Sequence, residues 1–194
     1  MTRAVFLDRD GTLNEEVGHI VRPENLRLLP NAGRALRLLS SHNFRLIVIT
    51  NQSGIARGLL TEEDLRTINL KLQEELASEG AFVEAIYYCP HHPEGEVELY
   101  KKSCDCRKPE PGMMVQAARD FGISLADSFV IGDRYYDIEM AQAAGARSVL
   151  VLTGHGQIEQ SNPEYCSRAE PSFIASDVLE ASEWIVRETP ATRD

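Results

Sequence analysis

The stretch that decides the fold spans residues 4–14 and reads Ala4-Val5-Phe6-Leu7-Asp8-Arg9-Asp10-Gly11-Thr12-Leu13-Asn14. Its first four residues are apolar and predict a short buried strand. Because side chains alternate between faces in an extended chain, Asp8 and Asp10 point to one side and Arg9 to the other. Gly11 allows a sharp turn and a close approach to a ligand. The pattern predicts either a site for a hard divalent cation such as Mg²⁺ or two solvated acids at a strand end.

Further apolar runs alternate along the chain with segments of helical spacing. Strands are predicted at residues 4–7, 45–50, 83–88, 129–131, 149–152 and 173–174, and helices at 31–43, 61–80, 112–121, 138–144 and 177–186. This alternation predicts an α/β fold, a three-layer doubly wound parallel sheet. Residues 15–29 and 90–110 interrupt it as irregular loops, and loops of this length are usually functional.

Composition limits the possible classes of protein. A chain of 194 residues with 43% apolar residues suits one domain covering residues 1–194. The formal charge of −10 argues against nucleic-acid or anionic membrane partners, which require concentrated Lys and Arg. Residues 1–3 and the short strand after them resemble neither a signal peptide nor a membrane span, so we expect a cytoplasmic protein. No exposed apolar stripe indicates a partner, and we expect a monomer.

Polar residues follow the predicted strands at the edge where ligands bind in doubly wound sheets. Besides the two aspartates of the opening stretch, they comprise Thr50-Asn51-Gln52-Ser53-Gly54, Gly132-Asp133 with Asp137, and Arg107-Lys108-Pro109 before the helix that precedes strand four. Each group alone has an ordinary explanation as a turn, a helix cap or a solvated charge. Their occurrence in order at successive strand ends indicates one shared site.

With these four groups the sequence resembles the haloacid dehalogenase superfamily of phosphohydrolases over about residues 3–152. The resemblance implies that Asp8 is the nucleophile and Asp10 the general acid and base. It also implies that Thr50 and Lys108 anchor the phosphate, with Asn51 beside them, and that Asp8, Asp10 and Asp133 hold Mg²⁺. Asp137 either ligates the metal or orients a ligand. For Asp10 to hold a proton near neutral pH, we expect burial and the Asp8 charge to raise its pKa.

A second metal site is predicted in the loop at about residues 89–110. Cys89-x-His91 and Cys104-x-Cys106 offer three thiolates and one imidazole, a complete tetrahedral set for structural Zn²⁺. His92 is the competing ligand, but His91 gives both pairs the same spacing. Reduced cysteines in a mobile loop and a disulfide are the alternatives. Cys166 stands apart and is expected to be an ordinary thiol.

These paired motifs narrow the resemblance to capless members of the superfamily that carry zinc. It implies a Mg²⁺-dependent phosphatase for a small phosphorylated sugar, removing the 7-phosphate of a heptose 1,7-bisphosphate in lipopolysaccharide synthesis. Histidinol phosphate is the alternative substrate, and a non-catalytic scaffold stabilised by zinc is the alternative class. Arg107 is the best candidate for a second phosphate because its guanidinium matches phosphate oxygens, and Arg57 is a plausible neighbour. Tyr135-Tyr136 departs from the expected pattern, with larger residues before Asp137.

Overall fold

The computed structural model describes residues 2–189. Six strands form one parallel sheet, with bounds Ala4–Leu7 (β1), Arg45–Asn51 (β2), Ala85–Cys89 (β3), Phe129–Gly132 (β4), Arg147–Val151 (β5) and Phe173–Ala175 (β6). Their spatial order is β3-β2-β1-β4-β5-β6. From β1 the chain adds β2 and β3 on one side, then crosses back to add β4, β5 and β6 on the other side of β1. This confirms the predicted doubly wound sheet and places the crossover between β1 and β4.

Within residues 2–189, seven α-helices pack around the sheet. They are Ala32–Ser41 (α1), Glu62–Ser78 (α2), Gly112–Phe121 (α3), Tyr135–Ala144 (α4), Gly156–Gln160 (α5), Pro163–Cys166 (α6) and Val178–Glu188 (α7). The alternation of side chains in β1 divides the interior into two cores. Val5 and Leu7 pack with α1, α2 and α7, whereas Ala4 and Phe6 pack with α3 and α4. Burial on both faces explains why the strand is apolar throughout.

Most element bounds follow the sequence prediction closely, and the departures have local causes. α4 begins at Tyr135, three residues before the predicted start, because the Asp137 carboxylate accepts a hydrogen bond from the Arg134 backbone N–H at 3.3 Å and caps the first turn. The short helices α5 and α6 were not predicted. In α6 the Asn162 side chain accepts from Glu164 N at 2.9 Å, so Asn162-Pro163 begins a helix rather than a plain turn.

The two interrupting segments have little regular structure, as predicted. Within the described residues, the segment between β1 and α1 contains one 3₁₀ turn, at Pro23–Asn25. The segment between β3 and α3 contains another, at Glu98–Tyr100. No helix within residues 2–189 combines the length and apolar character needed to cross a bilayer. Both loops emerge at the carboxyl edge of the sheet, where the site is found.

Candidate active site and metal-binding groups

A cleft opens at the carboxyl ends of the strands and brings together side chains far apart in sequence. Five of the predicted residues line it, namely Asp8, Asp10, Thr50, Asn51 and Arg107. The parallel register fixes this meeting, since Leu7 pairs with Val48 of β2 on one side and Ile131 of β4 on the other. The next residues of each strand therefore project from the same edge, as the sequence predicted.

Lys108 lies beneath the cleft and joins two carboxylates. Its Nζ is 2.7 Å from Asp8 Oδ1 and 2.6 Å from Asp137 Oδ1, and it also donates to Ile49 O at 3.0 Å. The side chains of Lys108 and Asp137 are fully buried. Burial alone would lower the pKa of Lys108, but the charges of Asp137 and Asp8 raise it above its ordinary value. Lys108 is therefore a fixed positive charge beside Asp8.

Asp133 completes an acidic group with Asp8 and Asp137 in which one ligand atom from each lies within 4.8 Å of the others. Burial raises the pKa of Asp133 well above its ordinary value, and the charges of Asp8 and Asp137 raise it further. Burial also raises the pKa of Asp137 to about 7, against the influence of Lys108. The buried Asp133 Oδ1 has no hydrogen-bond partner within residues 2–189. One lysine cannot balance three carboxylates, so these residues fit a divalent cation.

Two glycines, which have no side chain, make room for the carboxylate of Asp133. A Cβ at Gly11 or at Gly154 would lie 2.2 Å from Asp133 Oδ2, and both residues have positive φ, +83° and +53°. His155 N donates to the same oxygen at 2.8 Å, and Thr153 Oγ1 donates to Gly11 O at 2.6 Å. The turns after β1 and β5 therefore set the position of Asp133.

We expect Gly11→Ala to destabilise the protein by about 2–3 kcal/mol and to lower activity more than tenfold, because the new methyl group displaces Asp133. Gly122→Ala is the matched control. Gly122 also has positive φ, +65°, but nothing within 4 Å of an added Cβ, so only backbone strain of about 1 kcal/mol is expected. Denaturant unfolding and phosphate release measure both effects. Equal losses in the two variants would contradict the role assigned to the Gly11 contact.

Asp10 is held apart from the acidic group by a different set of partners. Arg9 Nη2 lies 2.8 Å from Asp10 Oδ2, while Asn14 Nδ2 donates to Oδ1 at 2.9 Å and Gln52 Nε2 to Oδ2 at 2.8 Å. Burial, the largest single influence, would raise the pKa of Asp10, but Arg9 and the hydrogen bonds together lower it. The expectation of a raised pKa was wrong because Arg9, predicted to point away, turns back onto its neighbour.

The Asp10 side chain lies apart from the acidic group. The Asp10 carboxylate does not belong to the acidic group, whereas Asp137, left open by the sequence, does. Asp10 Oδ1 and Oδ2 are both occupied by donors from Arg9, Asn14 and Gln52. Protein donors thus hold the Asp10 carboxylate, and its role as a Mg²⁺ ligand stays a prediction.

Two amide side chains at the end of β2 order the site. Gln52 Nε2 donates to Thr50 Oγ1 at 2.9 Å as well as to Asp10, so it links the predicted phosphate anchor with the predicted acid and base. The Asn51 side chain donates from Nδ2 to Lys108 O at 3.2 Å and accepts from Lys108 N at 3.1 Å. These two bonds fix the segment that carries Lys108 against β2.

The two arginines predicted to receive a second phosphate occupy different places. Arg107 lines the cleft, and its Nη1 donates to His91 O at 3.2 Å. Arg57 is exposed on the turn after β2 and does not line the cleft. Its Nη2 lies 3.4 Å from His92 Nε2.

Three thiols and one imidazole meet beside the cleft, as the sequence predicted. Cys106 Sγ lies 3.2 Å from Cys104 Sγ, 3.3 Å from Cys89 Sγ and 3.4 Å from His91 Nδ1. These distances far exceed the length of a disulfide bond, and all four cysteines of the described chain are free. Burial raises the pKa of the Cys89 and Cys106 thiols and lowers that of His91. His92 lies outside this cluster, which could hold a metal ion.

Several residues of the cleft were not predicted from the sequence. They are Glu16, Gly18, His19, Arg134 and His155, whereas Gln52 and Ser53 belong to the polar stretch predicted after strand two and Tyr136 to the departure noted before Asp137. The Tyr136 ring centroid lies 5.1 Å from Lys108 Nζ and 5.4 Å from Arg134 Cζ. The unexpected aromatic residue therefore shields the buried lysine. His155 lies beyond β5 after three intervening residues, so the strand-end rule, applied to the turn after this strand too, would have found it.

Comparison with known families and structures agrees with this geometry. The HAD-hydrolase-like family model matches residues 105–181. A D,D-heptose 1,7-bisphosphate phosphatase from B. bronchiseptica, crystallised with magnesium and phosphate, superposes with a TM-score of 0.83 at 32% identity, covering 97% of this chain and 100% of that one. A putative HAD-like phosphatase from Mesorhizobium loti also gives 0.83, at 29% identity, over 100% of this chain and 88% of that chain. Fold and site together define a phosphatase of the haloacid dehalogenase class.

Curated relatives refine this class. The D-glycero-beta-D-manno-heptose-1,7-bisphosphate 7-phosphatase of Yersinia pestis is 42% identical over 152 residues, 78% of this chain and 81% of the relative. The corresponding Escherichia coli K12 protein is 43% identical over 152 residues, 78% of this chain and 80% of that protein. The chain therefore belongs to the family of the heptose bisphosphate phosphatases, within the haloacid dehalogenase-like hydrolases. The resemblance seen in the sequence is confirmed.

Proposed function

We propose that this protein is a Mg²⁺-dependent phosphomonoesterase that removes the 7-phosphate of D-glycero-D-manno-heptose 1,7-bisphosphate through an aspartyl-phosphate. The observation that carries the proposal is Asp8 at the base of the cleft, 2.7 Å from the buried Lys108 and beside Asp133 and Asp137. The family membership supports the substrate.

Asp8 is the nucleophile in this proposal. Its Oδ1 is bound to Lys108, whereas Oδ2 accepts no hydrogen bond within residues 2–189 and is free to attack phosphorus. Attack forms the Asp8–phosphate bond as the bond to the sugar oxygen breaks. Lys108 and the Thr50 hydroxyl bind phosphate oxygens, with Asn51 holding the lysine segment in place. This neutralisation overcomes the repulsion between two anions, the main obstacle in phosphoryl transfer.

Asp10 transfers the protons of both steps. It donates one to the departing sugar oxygen and accepts one from the water that hydrolyses the aspartyl-phosphate. The carboxylate form, which Arg9 and Gln52 stabilise, is the form needed for the second step. In the first step the negative charge of the bound phosphate must offset Arg9, so that Asp10 holds a proton.

The two metal groups have separate roles in the proposal. Asp8, Asp133 and Asp137 hold Mg²⁺, which when bound supplies positive charge to the phosphate oxygens. Cys89, His91, Cys104 and Cys106 hold Zn²⁺, with no protein ligand position left open for catalysis. The zinc group lies within two residues of Arg107 and Lys108 in sequence, so it fixes the loop at about 89–110 that carries both.

We propose a single capless domain that acts as a monomer. With no cap domain over the cleft, the choice of substrate depends on the loops around it. Arg107, at the rim of the cleft, binds the phosphate remote from Asp8. Arg57 lies further out, beside the zinc-holding loop, and contributes charge there. A guanidinium suits this purpose because its planar donors match phosphate oxygens.

Side-by-side measurement of kcat/KM on heptose 1,7-bisphosphate and on histidinol phosphate tests the proposed function. We expect the heptose bisphosphate to be preferred by at least about 100-fold, because only it places a second phosphate near Arg107. Chelation of Mg²⁺ should abolish turnover. Preference for histidinol phosphate would assign the chain the alternative substrate, and the absence of phosphate release from a wide panel of sugar phosphates would indicate a scaffold instead.

A further inference from the structure

His92 has a fixed ring position next to the thiol and imidazole cluster without belonging to it. Its Nδ1 accepts a hydrogen bond from Glu94 N at 3.1 Å, and its carbonyl accepts from Gly95 N at 3.0 Å. The backbone N–H of His92 donates to Tyr100 O at 3.1 Å. The loop backbone therefore holds both the residue and the orientation of its imidazole.

This hydrogen-bond pattern decides which ring nitrogen of His92 bears a proton. A backbone N–H can only donate, so Nδ1 must be an unprotonated acceptor, and the neutral ring carries its proton on Nε2. Arg57 Nη2, which is also only a donor, lies 3.4 Å from that Nε2. Two donors facing each other at this distance gain nothing from each other. Both groups are therefore left able to donate to an anionic acceptor.

The surrounding backbone holds these donors in place. Ala56 O accepts from Glu96 N at 2.7 Å and from Val97 N at 2.9 Å, so the turn that carries Arg57 is tied to the loop of His92. Arg107 is tied to the same loop through its bond to His91 O. Within residues 2–189 neither Arg57 nor Arg107 makes a salt bridge with a carboxylate, as defined by an N–O distance of 4.0 Å or less.

We propose that His92 is a specificity-determining residue, whose Nε2–H joins Arg57 and Arg107 in binding the phosphate of the substrate that is not hydrolysed. The inference rests on the proposed function and deepens it, since it assigns the zinc-holding loop a direct contact with substrate. His91 and His92, adjacent in sequence, then divide two tasks between them. One fixes the loop through the metal, and the other presents a hydrogen-bond donor from it.

The test compares His92→Leu, which removes the donor, with His92→Gln, whose amide can donate. We expect His92→Leu to raise KM for heptose 1,7-bisphosphate about tenfold with kcat changed less than twofold. KM for heptose 7-phosphate, which lacks the second phosphate, should not change. His92→Gln should recover most of the loss. His42→Leu is the control, because His42 follows α1 at the opposite edge of the sheet.

Zinc content and unfolding midpoint, measured on the same variants, distinguish binding from a structural role. Equal rises in KM for the bisphosphate and the monophosphate, or loss of zinc from His92→Leu, would overturn the inference. So would an unchanged KM for the bisphosphate in a folded variant that retains zinc. If the unaltered enzyme hydrolyses neither heptose phosphate, the proposed function fails first and the inference fails with it.

Discussion

Replacing Asp8 by Asn is expected to lower phosphate release by a factor on the order of 10⁴ or more, because an amide cannot form the aspartyl-phosphate. The fold should survive the change. The Asp8 charge raises the pKa of both Asp133 and Asp137, so its removal relieves repulsion within a buried acidic group. The unfolding midpoint should therefore be unchanged or higher. Steady-state kinetics and thermal unfolding on one preparation measure both quantities.

Asp127→Asn is the matched control for this substitution. Asp127 is an exposed aspartate that accepts a hydrogen bond from Ser124 Oγ at 2.6 Å, and it follows α3 at the far edge of the sheet. The same change there should leave kcat/KM within about twofold, because the residue touches no group of the cleft. Substantial activity in a pure Asp8→Asn preparation would refute the nucleophile assignment.

Cys104→Ser should cause the largest loss of stability, at least about 3 kcal/mol, together with loss of bound zinc. The loop at about 89–110 has only a single 3₁₀ turn of regular structure. Its four clustered side chains come from the end of β3 with the two residues after it and from the segment before Lys108, so a metal there closes the loop. Serine is a much weaker ligand than a thiolate. Elemental analysis and denaturant unfolding, with and without added zinc, measure the effect.

The control for this prediction is Cys166→Ser. Cys166 is exposed at the end of α6, far in sequence from the other three cysteines and outside their cluster. The same atom exchange there should change neither metal content nor stability by more than about 0.5 kcal/mol. If Cys104→Ser and Cys166→Ser retained equal amounts of zinc, the four-ligand site would be excluded.

The sequence predicted the fold well because the relevant signals are local. Ala4–Leu7 is apolar at every position, which is typical of a strand buried on both faces, and the structure places its alternate residues in two separate cores. The spacing of Cys89, His91, Cys104 and Cys106 likewise predicted a cluster that the structure brings together. Once the strands are parallel, their polar ends must meet at one edge.

The electrostatics of the site could not be predicted in the same way. Strand alternation directs Arg9 away from Asp10, but alternation ceases where the strand ends at Leu7. In the turn that follows, Arg9 is buried and pairs with both Asp10 and Asn69 of α2. The pKa of a carboxyl group depends on the combined effect of such partners, which are distant in sequence. The same holds for which carboxylates come close enough to share a metal ion. For that reason the direction of the Asp10 pKa shift could not be predicted from the sequence.

Trapping the aspartyl-phosphate tests directly whether Asp8 is the nucleophile. Asp10→Asn removes both the proton donor for the sugar oxygen and the proton acceptor for the attacking water, so the aspartyl-phosphate should form slowly during the incubation and be hydrolysed more slowly still. After incubation with heptose 1,7-bisphosphate and an acid quench, mass spectrometry of the peptides should find one phosphoryl group on Asp8, and none in Asp8→Asn/Asp10→Asn. A phosphoryl group on another residue, or none on a variant that still releases phosphate, would contradict the central claim.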